Sequence, residues 1–126
     1  MIDRIDHLVL TVRSLETTLA FYERVLGFTR ESLPGRPASL KFGRQKFNVH
    51  EIDRTFEPKV AHPTPGSSDF CLITLRPIAE VEAHLKECGF AIEVGPVARN
   101  GAEGSMMSVY FRDPDANLVE IARYDD

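Results

Sequence analysis

The first half of this chain returns in its second half at a spacing of 62 residues. Leu26-Gly27-Phe28 recurs as Cys88-Gly89-Phe90, Leu15 is matched by Pro77, and Pro34 by Pro96. His7-Leu8-Val9-Leu10 falls on Asp69-Phe70-Cys71-Leu72, so a polar residue opens an apolar run in each half. Self-similarity at one spacing means that a single supersecondary unit is used twice, which removes most other folds from consideration. With 126 residues the chain has the size of one ordinary domain, read here as repeat one over about 1–52, a linker over 53–66 and repeat two over about 67–126. The linker carries Pro58, Pro63 and Pro65, which cannot donate to a sheet ladder.

Each half reads as a strand, a helix and three more strands. Ile5 to Val12 is dense in β-formers and bounded by charged residues. Ser14 is a good N-cap, and Leu15, Leu19, Tyr22 and Leu26 recur at helical spacing until Gly27 ends the helix. In the second half Pro77 suits the first helical turn, Ile78, Val81, Leu85 and Cys88 form the apolar stripe, and Gly89 stops it. Short strands are predicted at about 27–33, 38–42 and 46–52, and at about 90–97, 106–112 and 118–123. Comparing Phe42 with Phe111 gives a spacing of 69, so the second half has gained residues, assigned here to the breaker cluster Asn100 to Ser105. That cluster reads first as a solvated turn and second as a glycine-containing lid. The expected fold class is α+β: tandem βαβββ modules whose curved mixed sheets surround a concave site, with the helices outside.

Composition narrows the partners. With 15 Lys and Arg against 19 Asp and Glu the net charge is −4, which supplies no attraction for nucleic acid or an anionic membrane surface. No apolar run is long enough to span a membrane, and no basic segment followed by an apolar stretch opens the chain, so a cytoplasmic location is expected. Cys71 and Cys88 form neither a disulfide framework nor a CxxC knuckle and are expected to be buried, reduced thiols.

A carboxylate within the apolar run Leu118-Val119-Glu120-Ile121-Ala122 needs a cation or a hydrogen-bond partner if it faces inward. The repeat matches His7 to Asp69, and Glu120 to a position near Asn48, with His50 on the same strand face as Asn48. Such a mixed nitrogen and oxygen donor set suits Mn²⁺, Fe²⁺, Ni²⁺, Mg²⁺ or Zn²⁺. On spacing alone the plainer account is favoured, with His7 a hydrogen-bonded histidine at a strand end and Glu120 a carboxylate on an exposed pleat.

Three segments, taken with the repeat, alter that balance. They are His7-Leu8-Val9-Leu10-Thr11-Val12, Phe21 to Phe28, and Phe111-Arg112-Asp113-Pro114-Asp115-Ala116-Asn117-Leu118-Val119-Glu120-Ile121. In this order and at these separations they resemble the vicinal oxygen chelate superfamily, which holds glyoxalase I, extradiol dioxygenases, fosfomycin-resistance proteins and bleomycin-binding proteins. The segment Phe42 to Glu51 resembles a strand of the glyoxalase domain-containing protein 5-like group. The resemblance implies a metal-dependent lyase, isomerase or dioxygenase acting on a small substrate with vicinal oxygens, and a homodimer. It places family metal ligands on His7 and Glu120, puts Asp69 where a histidine is commoner, and puts Asn48 where glyoxalase I has a glutamate. His7, Asp69 and Glu120 would then hold a divalent ion, while Asn48 and His50 would orient substrate or relay a proton. Ala116 stands where the family's turn has glycine. Two other readings remain open at this point: a metal-free protein that binds an apolar or aromatic small molecule, and an interaction protein with a vestigial cavity. Arg36 is read as a solvated loop charge.

Overall fold

A computed structural model of the chain describes residues 1–125, which form two compact units, Met1–Ser67 and a second beginning at Ser68. The first contains β1 (His7–Val12), α1 (Leu15–Leu26), β2 (Thr29–Glu31), β3 (Ala38–Phe42) and β4 (Gln45–Glu51). The second contains β5 (Asp69–Ile73), α2 (Ile78–Glu87), β6 (Val94–Gly101), β7 (Gly104–Arg112) and β8 (Leu118–Tyr124). Each sheet has four strands, in the orders β1-β4-β3-β2 and β5-β8-β7-β6. The pairs β1/β4 and β5/β8 are parallel and the others antiparallel, so the α+β class with two βαβββ modules is the architecture observed. Among the described residues no helix is long and apolar enough to cross a membrane.

The helices start and stop where local chemistry dictates. The Ser14 side chain accepts from the Thr17 amide at 3.3 Å, and Gly27 closes α1 in the left-handed region at φ 70°. The buried face of α1 is Thr18, Leu19, Phe21, Tyr22 and Val25, whereas Leu15 and Leu26 are only half-buried. Those two leucines flank a stripe whose centre runs through Tyr22. The Tyr22 ring meets Phe28 and Phe47 at 5.5 and 5.9 Å, and Phe28 stacks on Phe42 at 4.4 Å. Aromatic pairs of this kind add about 0.5–1.5 kcal/mol each beyond the area they bury. This cluster seals one face of the first sheet, where Leu10, Val12, Leu40, Phe47 and Val49 are buried. The alternate residues His7, Val9, Thr11, Asn48 and His50 point to the other face.

The second unit follows the same plan with a different ending. Pro77 is the N-cap of α2, and Ile78, Val81 and Leu85 are its buried residues. Val109, Phe111, Val119 and Ile121 form the apolar side of the second sheet, and Asp69, Cys71, Ser108, Tyr110 and Glu120 lie on the opposite side. Strand register equates Asn48 with Glu120, but it makes Leu40, not Phe42, the counterpart of Phe111. The gain lies mainly in the longer β6–β7 hairpin, where the sequence assigned it. The last turn adds one residue, since four residues separate Lys41 from Lys46 and five separate their counterparts Arg112 and Leu118. Asn100 to Ser105 is the solvated turn of the first reading: Asn100 pairs with Ser105 and Gly101 with Gly104, leaving exposed Ala102-Glu103 as a hairpin turn. Gly101 admits Tyr124 so closely that a Cβ there would lie 2.5 Å from the phenol oxygen.

The long turn is built around buried polar groups. Asp113 accepts from the amides of Asp115 and Asn117 at 3.0 and 2.9 Å and from the Asn117 side chain at 2.8 Å. The Asn117 side-chain Oδ1 in turn accepts from the Ser68 amide at 2.9 Å, which ties the start of β5 to the start of β8. Ala116 sits in this turn at φ 68°, the positive-φ non-glycine residue among those described. A left-handed alanine costs about 1–2 kcal/mol, of which the looser unfolded chain of a glycine variant returns part. Ala116→Gly is therefore expected to raise stability by about 0.5–1 kcal/mol, seen as a higher urea midpoint at unchanged slope.

Candidate functional site

The open face of the first unit carries three of the candidate residues. His7 begins β1, and its Nδ1 lies 2.8 Å from Asp6 Oδ1. A carboxylate can only accept, so Nδ1 donates, and Nε2 is the ring nitrogen left to meet a ligand. The same contact is the chief reason that the Asp6 carboxyl is held below the ordinary carboxylate range. Asn48 is half-buried on β4 between Val9 and Ser39 of the neighbouring strands. His50, two residues on and on the same face, is only 4% exposed and lies beside Thr11 of β1. The Phe56 ring stands 5.4 Å from its own. Burial first, and the charge of Lys59 second, pull the His50 pKa below 6.5, so the imidazole is neutral at neutral pH.

The open face of the second unit carries the other two. Asp69 begins β5 and is exposed, and its charge adds to that of Glu93 in stabilising the Arg112 guanidinium. Glu120 is half-buried at the register position of Cys71 on one side and Tyr110 on the other. Its Oε2 accepts from Ser108 Oγ at 2.6 Å, a charge-assisted hydrogen bond, and the carboxylate also interacts with the Cys71 thiol. Ser108 is completely buried and was not singled out by sequence, although a serine inside the apolar run of β7 was the available signal. Arg99 and Tyr110 were also missed. Arg99 Nε donates to Tyr110 Oη at 3.0 Å, and its guanidinium carbon lies 5.5 Å from the Tyr110 ring centre.

The cysteines depart from expectation. Cys71 is exposed, because β5 alternates and sends Phe70 and Leu72 inward instead, while Cys88 is half-buried at the end of α2. Desolvation, followed by the charge and hydrogen bonding of Glu120, pushes the Cys71 thiol up to about 12, so it is un-ionised at neutral pH and a poor nucleophile. Arg36 is exposed in the loop before β3.

Thus His7, Asn48 and His50 share one face of the first sheet, and Asp69 and Glu120 one face of the second. Among the described residues no three His, Cys, Asp or Glu side chains gather closely enough to hold a metal ion. The first unit carries an oriented imidazole and the second two carboxylates.

A βαβββ module used twice, with matched polar positions on the sheet faces turned from the helices, defines a protein of the glyoxalase class. The chain belongs to the Glyoxalase/Bleomycin resistance protein/Dioxygenase superfamily, whose pattern matches residues 4–121. It is 52% identical over 124 residues to virulence protein STM3117 of Salmonella typhimurium, across 98% of this chain and 86% of that one. The crystal structure of that protein matches with a TM-score of 0.97 over 99% of each chain, at 51% identity. Glyoxalase domain-containing protein RDO1 of Mycosarcoma maydis is 43% identical over 122 residues, covering 97% of this chain and 69% of that one. An integron cassette protein from the mobile metagenome of V. cholerae is 44% identical, with a TM-score of 0.96 over 99% of this chain and 98% of that one.

The buried imidazole gives stability a pH dependence of definite sign. Because the folded His50 pKa lies below the unfolded value of 6.5, the unfolded chain takes up the proton first. The contribution of neutral His50 is then complete above about pH 6.5 and declines as pH falls below it. Urea unfolding from neutral pH down to about pH 5 should show this loss, and His50→Gln should flatten it.

Proposed function

We propose that the chain is a glyoxalase-like, metal-dependent lyase, isomerase or dioxygenase for a small substrate with vicinal oxygens, standing near the glyoxalase domain-containing protein 5-like group. His7, Asp69 and Glu120 are the residues that would hold the metal. The observation that supports this most is the state of two of those residues. His7 has its Nδ1 occupied by Asp6, the arrangement that fixes the ring and leaves Nε2 as the nitrogen to ligate, and Glu120 is oriented by the Ser108 hydroxyl. A divalent ion at these residues would supply Lewis-acid polarisation of two neighbouring substrate oxygens. Asn48 cannot accept a proton, so it orients substrate by hydrogen bonding. The proton relay falls to His50, which is neutral at neutral pH and therefore able to accept one.

Asp69 in place of an imidazole adds a hard, negative oxygen donor, which favours Mn²⁺, Fe²⁺ or Mg²⁺ over Ni²⁺ or Zn²⁺. Elemental analysis of protein purified without chelator is expected to find about one divalent ion per chain. His7→Ala and Glu120→Gln should each lower that content with the circular dichroism unchanged. Asp69→Ala should weaken affinity about 10-fold, and Asp69→His should shift preference toward Ni²⁺ or Zn²⁺. Metal content equal to the parent's in both the His7 and Glu120 variants would overturn the ligand assignment. Protein that carries no metal yet is stabilised by an apolar small molecule would instead identify a metal-free binding member of the superfamily.

A homodimer forms part of this reading. Val9 and Ile73 are 43% and 52% exposed on the open sheet faces, and each sheet ends in unpaired edge strands. A second copy of the chain is the commonest way to cover such surface. Light scattering should give twice the 14.2 kDa of one chain, and a monomer at micromolar concentration would reject the dimer.

A further inference from the structure

We infer that Arg99 is an anion anchor on the open face of the second unit and that the substrate carries a carboxylate which it binds. This rests on the reading of Glu120 as part of the reactive site, since it adds a second recognition point on the same sheet face.

The two best-held arginines elsewhere show what is different about Arg99. Arg30 is held by Glu16 and Glu23, and Arg112 grips both oxygens of Glu93. Arg99 has no carboxylate partner among the described residues, yet it is not loose. Its Nε donates to Tyr110 Oη at 3.0 Å, its Nη1 donates to the Ala98 carbonyl at 3.1 Å, and its guanidinium lies over the Tyr110 ring. A guanidinium has five N–H donors in a rigid fork, so three remain, all on the terminal nitrogens that grip a carboxylate with two parallel bonds. The side chain is thus an oriented cation with no carboxylate counter-ion among the described residues.

Its orientation depends on one extra residue. Val94 pairs with Tyr110 and Val97 with Ser108, so three steps along β6 match two along β7. This bulge restores Val97, and hence Arg99 two residues on, to the face that carries Ser108, Tyr110 and Glu120. Without it, alternation would turn Arg99 to the opposite face. The bulge is possible because residue 95 is glycine, with φ 111°, where a Cβ would stand 2.5 Å from the Ser108 carbonyl oxygen. Tyr110, which holds the guanidinium, is itself the register partner of Glu120. The fork therefore lies one side chain away from the proposed ligand. An anion would be drawn to this end of the face and repelled from Asp69 at the other, which gives a carboxylate-bearing substrate one direction of entry.

Tartrate, which joins vicinal hydroxyls to carboxylates, and its dimethyl ester, which lacks the charge, are the probes. Each is titrated into metal-loaded and chelator-treated protein while the arginine Nε–H resonances are followed by NMR. Tartrate is expected to move the Arg99 resonance and to bind about 10-fold more tightly than the ester. Arg99→Gln should reduce tartrate to the ester's affinity with metal content unchanged, and Arg99→Lys should recover part of the loss. An Arg99-dependent preference for tartrate that survives in chelator-treated protein supports the anchor even where the metal assignment fails. The proposal is overturned by undetectable tartrate binding, by equal binding of acid and ester, by parent-like affinity in Arg99→Gln, or by loss of metal in that variant.

Discussion

The parallel pairing of each unit's first strand with its last is the constraint on which the rest of the structure depends. It runs from His7 opposite Lys46 to Val12 opposite Glu51, and from Asp69 opposite Leu118 to Ile73 opposite Ala122. Parallel neighbours cannot be joined by a tight turn, so the helix and two further strands must lie between them in sequence. The pairing also decides faces. It sends Leu10, Val12, Phe47 and Val49 toward the α1 aromatic cluster and His7, Asn48 and His50 away from it. A slip of one residue would exchange the two sets and press unpaired polar groups into an apolar core, at a cost of roughly 1–3 kcal/mol for each. The candidate site inherits its geometry from that penalty.

Beside the exposed Val9 and Ile73 the open faces carry polar groups, several of which are prepared by a neighbour. Asp6 orients His7, Ser108 holds one oxygen of Glu120, and Tyr110 carries Arg99. His50 is the exception. It is buried beneath Phe56 and kept uncharged by its surroundings rather than by an ion pair. Groups held in this way lose little conformational freedom when a ligand arrives, which is the physical basis of pre-organisation. The structure also tolerates local strain in the same regions. Ala116 is left-handed in the turn that delivers β8, held there by the Asp113 and Asn117 hydrogen bonds.

Much of this was legible in the residues because it depends on neighbours close in the chain. Ser14 and Gly27 bound α1 by capping chemistry, the strand over 38–42 coincides with β3, and Asn48 and His50 share a face because a strand alternates. The repeat matched His7 with Asp69 and brought Glu120 close to Asn48, and the strand registers pair the same positions. Where the reading failed, lateral neighbours were the cause. The strand predicted over about 90–97 is instead Val94–Gly101, because edge pairing of β6 with β7 carries it on to the turn within Asn100 to Ser105. Cys71 has apolar neighbours on both sides in sequence, but strand alternation turns it outward.

The residues by themselves determined two βαβββ modules, their helix ends, and a family whose matched pattern covers 4–121. Capping, periodicity and a repeated spacing are local or one-dimensional signals that need no packing to be read. Only the tertiary structure decided that Ser108 bonds Glu120, that Tyr110 supports Arg99, and that a glycine bulge turns Arg99 to their common face. Those partners lie 11 or 12 residues apart on neighbouring strands. They meet because antiparallel register sets which side chains stand abreast, and a bulge shifts that register by one residue without any trace in hydrophobic pattern.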